Sequence, residues 1–515
     1  MQHSRIRIRR FCSENSNRVE DALGISVNFF HLGFNWDPTG KGKWSVSANY
    51  RVAYDRNPVN NTFLVDNDQE GTSTTRTFNA PAGTRLSGLG ALFNATTGYF
   101  DPGPPYSAKA FDRQGQIVAW DPDYYTPYTQ NWSLRIQREL WGGMVLQAAY
   151  VGNKATGLPR AFDINQLQLR SNGFLTGFLA AQRNLAANGN PLTGEATGTF
   201  GQVFSRLTAN QRQGQQANIT NGAVATVANF IDQTQAAANI LQGAGLPLNF
   251  FRANPQFNQV WLLGNNSNST WNGLKLELNR RISGGLQFGF NYTFSKGLTD
   301  FEGSQAQRDA YRDNENRQLD KSLTSTDATH VFNGNFIWDL PIGKGQRWLS
   351  GTHPVVNGLL GGWQLNGIIA YSSGLPLTVL SGRNNLTLGD QSTANCNQCP
   401  ADLISEVIKG NTITVLTPEI RARFTQPAPG SPGLSAPRYF RGPNFVLMDG
   451  SVFKSFRPAA LLGEQGQIQF RFEFLNLFNH TNFANPNTNL SNANFGVITN
   501  AGDPRIVQVA LKLLF

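Results

Sequence analysis

Cys396 and Cys399, in "NCNQCP", are the first residues of this chain whose type and spacing could do chemistry. Two thiols three apart supply only half of a tetrahedral metal site, and no histidine falls near them in sequence, so metal is the weakest of three readings. A small loop disulfide, which needs an oxidising compartment, is the expectation; a free thiol pair is the remaining alternative. Cys12 stands alone. "DNDQEG" opens like a calcium loop with Asp66, Asp68 and Glu70, but its twelfth position is Thr77 where a bidentate Glu is needed, which makes it a polar loop. "GKGK" at 40–43 lacks the glycine spacing of a phosphate-binding loop, and no GxSxG, HExxH or dinucleotide fingerprint occurs. Arg471 and Glu473 lie two apart on one strand face and read as a charge pair on a polar wall rather than an acid–base couple. The expectation is a protein with no catalytic residues, no cofactor and no bound metal: not an enzyme.

Strands carry these residues. Charged residues make up 15% of the 515, against 52 Gly and 36 Phe, a balance that suits a β-rich chain with long polar loops. The formal charge of +10 raises nucleic acid as a partner, but Lys and Arg are scattered. Their one cluster, "RIRIRR" at 5–10, reads as a solvated N-terminal stretch, so no nucleic-acid partner is expected. No apolar run approaches the roughly 18 residues of a spanning helix. Strands that alternate remain able to cross a bilayer.

The strand-like segments come as hairpins with Gly-containing turns: 31–36 with 44–54, 130–139 with 144–152, and 272–280 with 286–295. Segments 330–340, 362–373, 444–456, 467–478 and the terminal "PRIVQVALKLLF" at 504–515 bring the total to about eleven. Each approaches the roughly 9–11 residues that cross a bilayer at a tilt. The long loops 55–129, 153–271, 296–329, 374–443 and 479–504 fall on every second connection. If the strands run antiparallel, all five leave one end and all short turns the other, which is the pattern of short periplasmic turns and long extracellular loops. Within 176–245, "FLAAQRNLAANG" and "VATVANFIDQTQAAANILQGAG" have helical spacing and read as short helices that either cap a pore mouth or decorate the loop.

The faces agree. Leu286, Phe288, Phe290, Tyr292 and Phe294 alternate with Gln287, Gly289, Asn291 and Thr293, and Ile468, Phe470, Phe472 and Phe474 with Gln469, Arg471 and Glu473. In a large barrel the apolar face meets lipid and the polar face lines a lumen, with Asn291, Asn333, Asn335, Arg471 and Glu473 as lumen candidates. Trp36, Trp44, Tyr54, Trp132, Trp338, Trp363 and Tyr371, near strand ends, suit interfacial girdles. The fold class expected is all-β: a transmembrane antiparallel up-and-down barrel. Because the first visible strand descends, the barrel is expected to be incomplete, about eleven strands of roughly 22. A soluble lectin-like β-sandwich is the rival fold.

At "EFLNLFNHTNFANPN" the chain resembles TonB-dependent outer-membrane receptors, through Asn476, Leu477, Phe478 and Asn479 after the penultimate strand. "TPYTQNWSLRIQREL", "AAYVGNKATGL", "ELNRRISGGLQFGFNYTFSKGL", "DATHVFNGNFIWDLPIGKGQRW" and "GGWQLNGIIAYSSGLPLTVLSG" are similar to the Oar-like members of that family. The resemblance implies import of a large nutrient, a glycan fragment or a metal chelate, across the outer membrane, powered by a TonB complex through a plug. It also implies that Leu511, Leu513 and Phe515 form an insertion signal read by the barrel assembly machinery. Family members carry a signal peptide, plug and TonB box ahead of the barrel, which this sequence does not show. Residues 28–515 are therefore expected to be the C-terminal portion of a receptor barrel, with 1–27 unassigned. A non-transporting surface barrel or adhesion protein that binds ligands through its loops is the alternative function.

Overall fold

Alternation becomes strands, and the strands join one sheet. The computed structural model describes residues 6–10, 30–54, 113, 115–301, 311–388, 392–399, 408–409, 413–456 and 466–514. Its main sheet has 14 strands. They are β1 (Ile6–Arg10), β2 (Phe30–Trp36), β3 (Trp44–Tyr54), β4 (Gln116–Trp120), β5 (Tyr128–Glu139), β6 (Met144–Asp163) and β7 (Gln259–Ser283). There follow β8 (Leu286–Thr299), β9 (Ser322–Leu323), β10 (His330–Asp339), β11 (Trp363–Ser372), β12 (Phe445–Phe456), β13 (Gln467–Leu475) and β14 (Ile506–Leu514). Except for β4 and β9, which pair with β7 and β8, each strand lies antiparallel beside its sequence neighbour, in an up-and-down meander. Among the described residues β14 pairs only with β13, so the sheet is open.

All eleven expected strands are present, and several boundaries move. Ile6–Arg10, expected to be a solvated stretch, forms a further strand against β2, with Ile8 opposite Phe34. β6 and β7 run to 20 and 25 residues because 153–163 and 259–271 pair with each other beyond the expected ends. These extensions are rich in Asn, Ser, Thr and Gly, so they carry no apolar alternation to mark them. The longest loop is therefore 164–258 rather than 153–271. β13 stops at Leu475, not 478, because Asn476 takes a left-handed φ of 52° that ends the ladder.

Register gives the sheet two chemically distinct faces. Ile136, Ala148, Leu276, Tyr292, Phe332 and Tyr371 are successive cross-strand partners in one row. The next row, on the opposite face, reads Gln137, Gln147, Glu277, Asn291, Asn333 and Ala370. On the apolar face the rings of Trp132, Phe290 and Phe336 occupy the space where a Cβ on their paired glycines, Gly152, Gly334 and Gly367, would sit. Glycine at those positions lets an aromatic ring lie flat across the neighbouring strand. All seven girdle aromatics fall on this face, by their parity along the strands. On β14 it leaves Val509 and Leu511 64% and 57% exposed. An apolar band running across the whole sheet needs a non-aqueous cover, which lipid supplies.

Candidate ligand face and polar wall

The polar face is a ladder of side-chain hydrogen bonds. Asn131 accepts from Asn153 at 2.6 Å, Asp339 from Gln364 at 2.7 Å, Ser451 from Asn366 at 3.2 Å and Ser455 from Gln469 at 3.3 Å. Of the lumen candidates, Asn291 and Asn333 are direct partners, and Asn335 leans over Gly289 from one side while Asn279 does so from the other. Arg471 and Glu473 share this face, but the expected charge pair is corrected. The Arg471 Nε donates to Gln469, two residues back along the strand, at 2.7 Å, and its guanidinium lies over the cross-strand Phe453 ring, 5.0 Å from its centre, so the side chain is turned away from Glu473. Ile337 and Ile368 also project from this wall.

At the long-loop end the chain builds a folded cap. Residues 164–258 contain α1 (Phe174–Asn188), α2 (Gly198–Phe204), α3 (Ala209–Thr220), α4 (Val224–Gln233) and α5 (Ala237–Gly243). Thr208 and Gln211 start α3 with a reciprocal capping box, and Gly189, at φ 67°, closes α1. The single helical stretch expected over 224–245 breaks at Thr234, whose extended ψ of 144° separates α4 from α5. Their apolar stripes bury Phe174, Phe178, Phe200, Phe204, Phe251 and Leu241 completely, so the lobe has a core of its own. Leu386, from the loop between β11 and β12, belongs to that core. A second core, with Val379, Phe424, Phe440 and Phe495, joins this loop to the one between β13 and β14.

Arginines lock the pieces together. Asp232, fully buried, pairs with Arg113 and, at 2.8 Å, with Arg252. Asp320 receives Arg160 at 2.8 Å and Arg312 at 3.2 Å, and Arg160 stacks 3.7 Å from the Tyr311 ring centre. Arg170 ties the lobe to Asp313 at 2.8 Å and to the Gly430 carbonyl at 3.1 Å. Arg438 and Arg441 reach across to Ser322 at 2.7 Å and Asp327 at 2.5 Å. Sequence reading, which noted only that Lys and Arg are scattered, missed all of these; most of the pairs span more than a hundred residues, and the two nearer ones, Arg252–Asp232 and Arg312–Asp320, have no helical or strand spacing to reveal them. Where lobe, β6 and the β11–β12 loop meet lies a small cleft, open at its mouth, lined by Asp163, Arg252, Tyr311, Asn314 and Thr387. Burial pushes the Asp163 carboxyl up from its usual range, against the opposing pull of the Val260 and Asn165 N–H groups and the Arg252 charge. Burial likewise raises the Tyr311 phenol, against the pull of Arg160 and Arg317.

The Asn476–Asn479 motif is a turn lock. Asn476 donates to the carbonyls of His480 at 2.9 Å and Asp503 at 3.2 Å and accepts from the His480 N–H at 2.8 Å. Asn479 accepts from the Arg505 N–H at 2.9 Å. Both have φ of 52°, which Asn tolerates better than other side chains. Leu477 donates its N–H to Met448, and Phe478 is 71% exposed. Leu511 and Leu513 lie on the apolar face; Phe515 is outside the described residues. Cys396 and Cys399 are joined as a disulfide, with Cα atoms 5.8 Å apart. The 66–71 loop and Cys12 lie outside the described residues.

A family model described as "Outer membrane beta barrel domain" matches residues 31–508. No curated protein matches the chain. Among solved structures, the outer membrane transporter YddB from Escherichia coli is 8% identical with a TM-score of 0.38, covering 93% of this chain and 40% of its own. BauA, the ferric preacinetobactin receptor from Acinetobacter baumannii, is 9% identical with a TM-score of 0.36, covering 94% and 36%. The pyoverdine receptor FpvA from Pseudomonas aeruginosa is 9% identical with a TM-score of 0.36, covering 95% and 36%. The chain thus spans well under half the length of each.

Proposed function

The chain belongs to the outer membrane beta barrel domain family, and on that premise we propose that it serves as a TonB-dependent, Oar-like receptor barrel that takes up a large nutrient. Its strands cross the outer membrane, and the observation that carries the reading is the pairing of a polar wall with a folded cap at one end. A cap held by buried ion pairs offers a fixed surface for a ligand, and the wall of Asn, Gln, Ser, Arg and Glu offers a hydrated path beneath it. Glycan fragments and metal chelates both suit such a path, since each presents many hydrogen-bonding oxygens and little apolar surface.

In this reading residues 28–515 form the C-terminal portion of the barrel, and the open sheet is completed by further strands of the receptor. A plug and TonB box preceding the barrel couple it to the energy-transducing complex. Leu511, Leu513 and Phe515 are the segment presented to the barrel assembly machinery, and the Cys396–Cys399 link staples one cap loop. The alternative, a surface barrel that binds without transporting, draws support from the cap's two independent cores, which make it a self-sufficient binding surface.

Uptake of labelled oligosaccharides and ferric chelates by cells carrying the intact receptor tests both. Uptake that vanishes on loss of TonB supports transport. Binding without TonB-dependent uptake selects the surface-barrel reading, and neither binding nor uptake of any such ligand sinks the receptor proposal.

A further inference from the structure

Among the described residues, the short connections 37–43, 140–143 and 284–285 are tight, whereas 341–361 between β10 and β11 is built differently. It folds into a small loop, in which Gly343 donates to the Trp348 carbonyl at 2.9 Å and Trp348 to that of Pro341 at 3.0 Å, followed by α6 (Pro354–Leu360). Pro354 opens the helix at a position where its missing N–H costs nothing, and His353 accepts from the Val355 N–H at 3.3 Å. Asn357 ties helix to loop through the Lys344 N–H at 2.6 Å. The helix buries none of its residues: Val355 and Leu359, one turn apart on one face, are 63% and 66% exposed, and Leu360 and Trp348 are 48% and 52% exposed. A seven-residue helix that hides no apolar side chain against the protein has its partner elsewhere.

Its position names that partner. Trp363 donates its indole N–H to the Leu359 carbonyl at 3.0 Å, and the Lys454 ammonium donates to the Gly361 carbonyl. Trp363 and Lys454 are cross-strand partners in the row that continues the apolar face, with Leu365 and Val452 next along it. The helix is therefore fastened to the lipid side of the wall, at the end of the strands, and not to the lumen side. Trp141 and Ile282, at the β5–β6 and β7–β8 turns of the same end, are also exposed, and exposed Lys344 and Arg347 flank the helix with cations.

We propose that 341–361 is an interfacial foot, in which α6 lies in the headgroup–acyl boundary of the inner leaflet of the outer membrane. Val355, Leu359 and Leu360 enter the acyl region to a depth of roughly 5–10 Å, and Lys344 and Arg347 reach lipid phosphates. The occupant is phospholipid because the face is continuous with the lipid-covered band and its flanking charge is opposite to that of the headgroups. The inference rests on the barrel reading, and its test carries controls for both.

The test places a bimane fluorophore at Leu359→Cys in the full-length chain, with the native cysteines changed to serine. The protein is inserted in phosphatidylethanolamine–phosphatidylglycerol vesicles containing phospholipid brominated high on its acyl chains. Val509→Cys reports the barrel's lipid face and Leu434→Cys, 80% exposed in a cap loop, reports water. Each variant is accepted only if it keeps the unsubstituted protein's heat-modifiable mobility on gels. Quenching at Leu359 within about twofold of that at Val509, and several-fold above that at Leu434, is the expected result. Quenching at Leu359 equal to Leu434 while Val509 is quenched overturns the foot alone, whether water or a protein partner covers it. Loss of quenching at Val509 as well overturns the barrel reading and the foot with it. As a second variant, Val355→Asp with Leu359→Asp lowers the fraction of protein inserted if the foot holds; unchanged insertion counts against it.

Discussion

Arg160 Nη2 donates to Asp320 Oδ2 at 2.8 Å, joining residues 160 positions apart, and both side chains are shut away from solvent. Arg312 meets the other oxygen of the same carboxylate. Removing that carboxylate with Asp320→Ala takes the shared counter-charge from two buried guanidinium groups, a change worth on the order of 3–5 kcal/mol. The expected outcome is accelerated hydrogen exchange across 311–323 and the tips of β6 and β7, with the membrane rows of β5, β8 and β10 unchanged. Uniform protection in the variant would contradict this.

Asp232 plays the same part inside the helical lobe, between Arg113 and Arg252. Asp232→Asn keeps an acceptor and removes the charge, so the lobe is expected to open to protease between α3 and α5 while the sheet stays intact. Limited proteolysis with mass mapping of the cuts reads this directly.

The two faces of β14 predict opposite tolerance at adjacent positions. Val509→Arg places a charge on the lipid side and should cost roughly 2–4 kcal/mol if it lies near the bilayer midplane. Gln508→Arg points into the polar wall beside Glu473 and should leave stability within about 0.5 kcal/mol. Urea titration of folding into bilayers measures both, and equal costs would mean that the faces are assigned wrongly.

Asn476→Ala removes three side-chain hydrogen bonds and keeps a φ of 52° that Ala adopts poorly. A loss of about 4–5 kcal/mol in barrel stability is expected, from roughly 1 kcal/mol per bond and 1–2 for the backbone. Asn479→Gly restores backbone freedom and loses only the bond from Arg505, so it should cost less than half as much.

Two carboxylates set opposite pH dependences. Burial raises Asp163 above its ordinary 3.8, so its contribution to folding is full below that value and fades as pH climbs through the raised pKa. Asp163→Asn, which still accepts from Val260 and Asn165, should therefore flatten the decline in cap stability above pH 4 or so and stabilise the cap at neutral pH. Asp37, in the β2–β3 turn, is lowered, chiefly by the Gly42 N–H at 2.7 Å; its contribution is present above 3.8 and is lost on acidification below it. Hydrogen exchange followed against pH in each segment checks both signs.

Sequence by itself determined the membrane part of this protein. Period-two alternation is a local property, so eleven strands, their two faces and the grouping of long loops at one end were all legible. The girdle aromatics and Asn291, Asn333 and Asn335 followed from the same parity. Sequence did not announce β1, because a short basic strand has no pattern apart from its partner, nor the polar extensions of β6 and β7. Helices α2 and α3, poor in charged residues and rich in Gln, Asn and Gly, were also unmarked.

Tertiary structure alone decided which arginine meets which aspartate, since most of those contacts join segments more than a hundred residues apart and all depend on burial that no local window contains. It also decided that α6 is fastened to the lipid side. Residues 341–361 read as a connection, and only the Trp363 and Lys454 bonds, set by the register of β11 against β12, show which side of the wall it stands on.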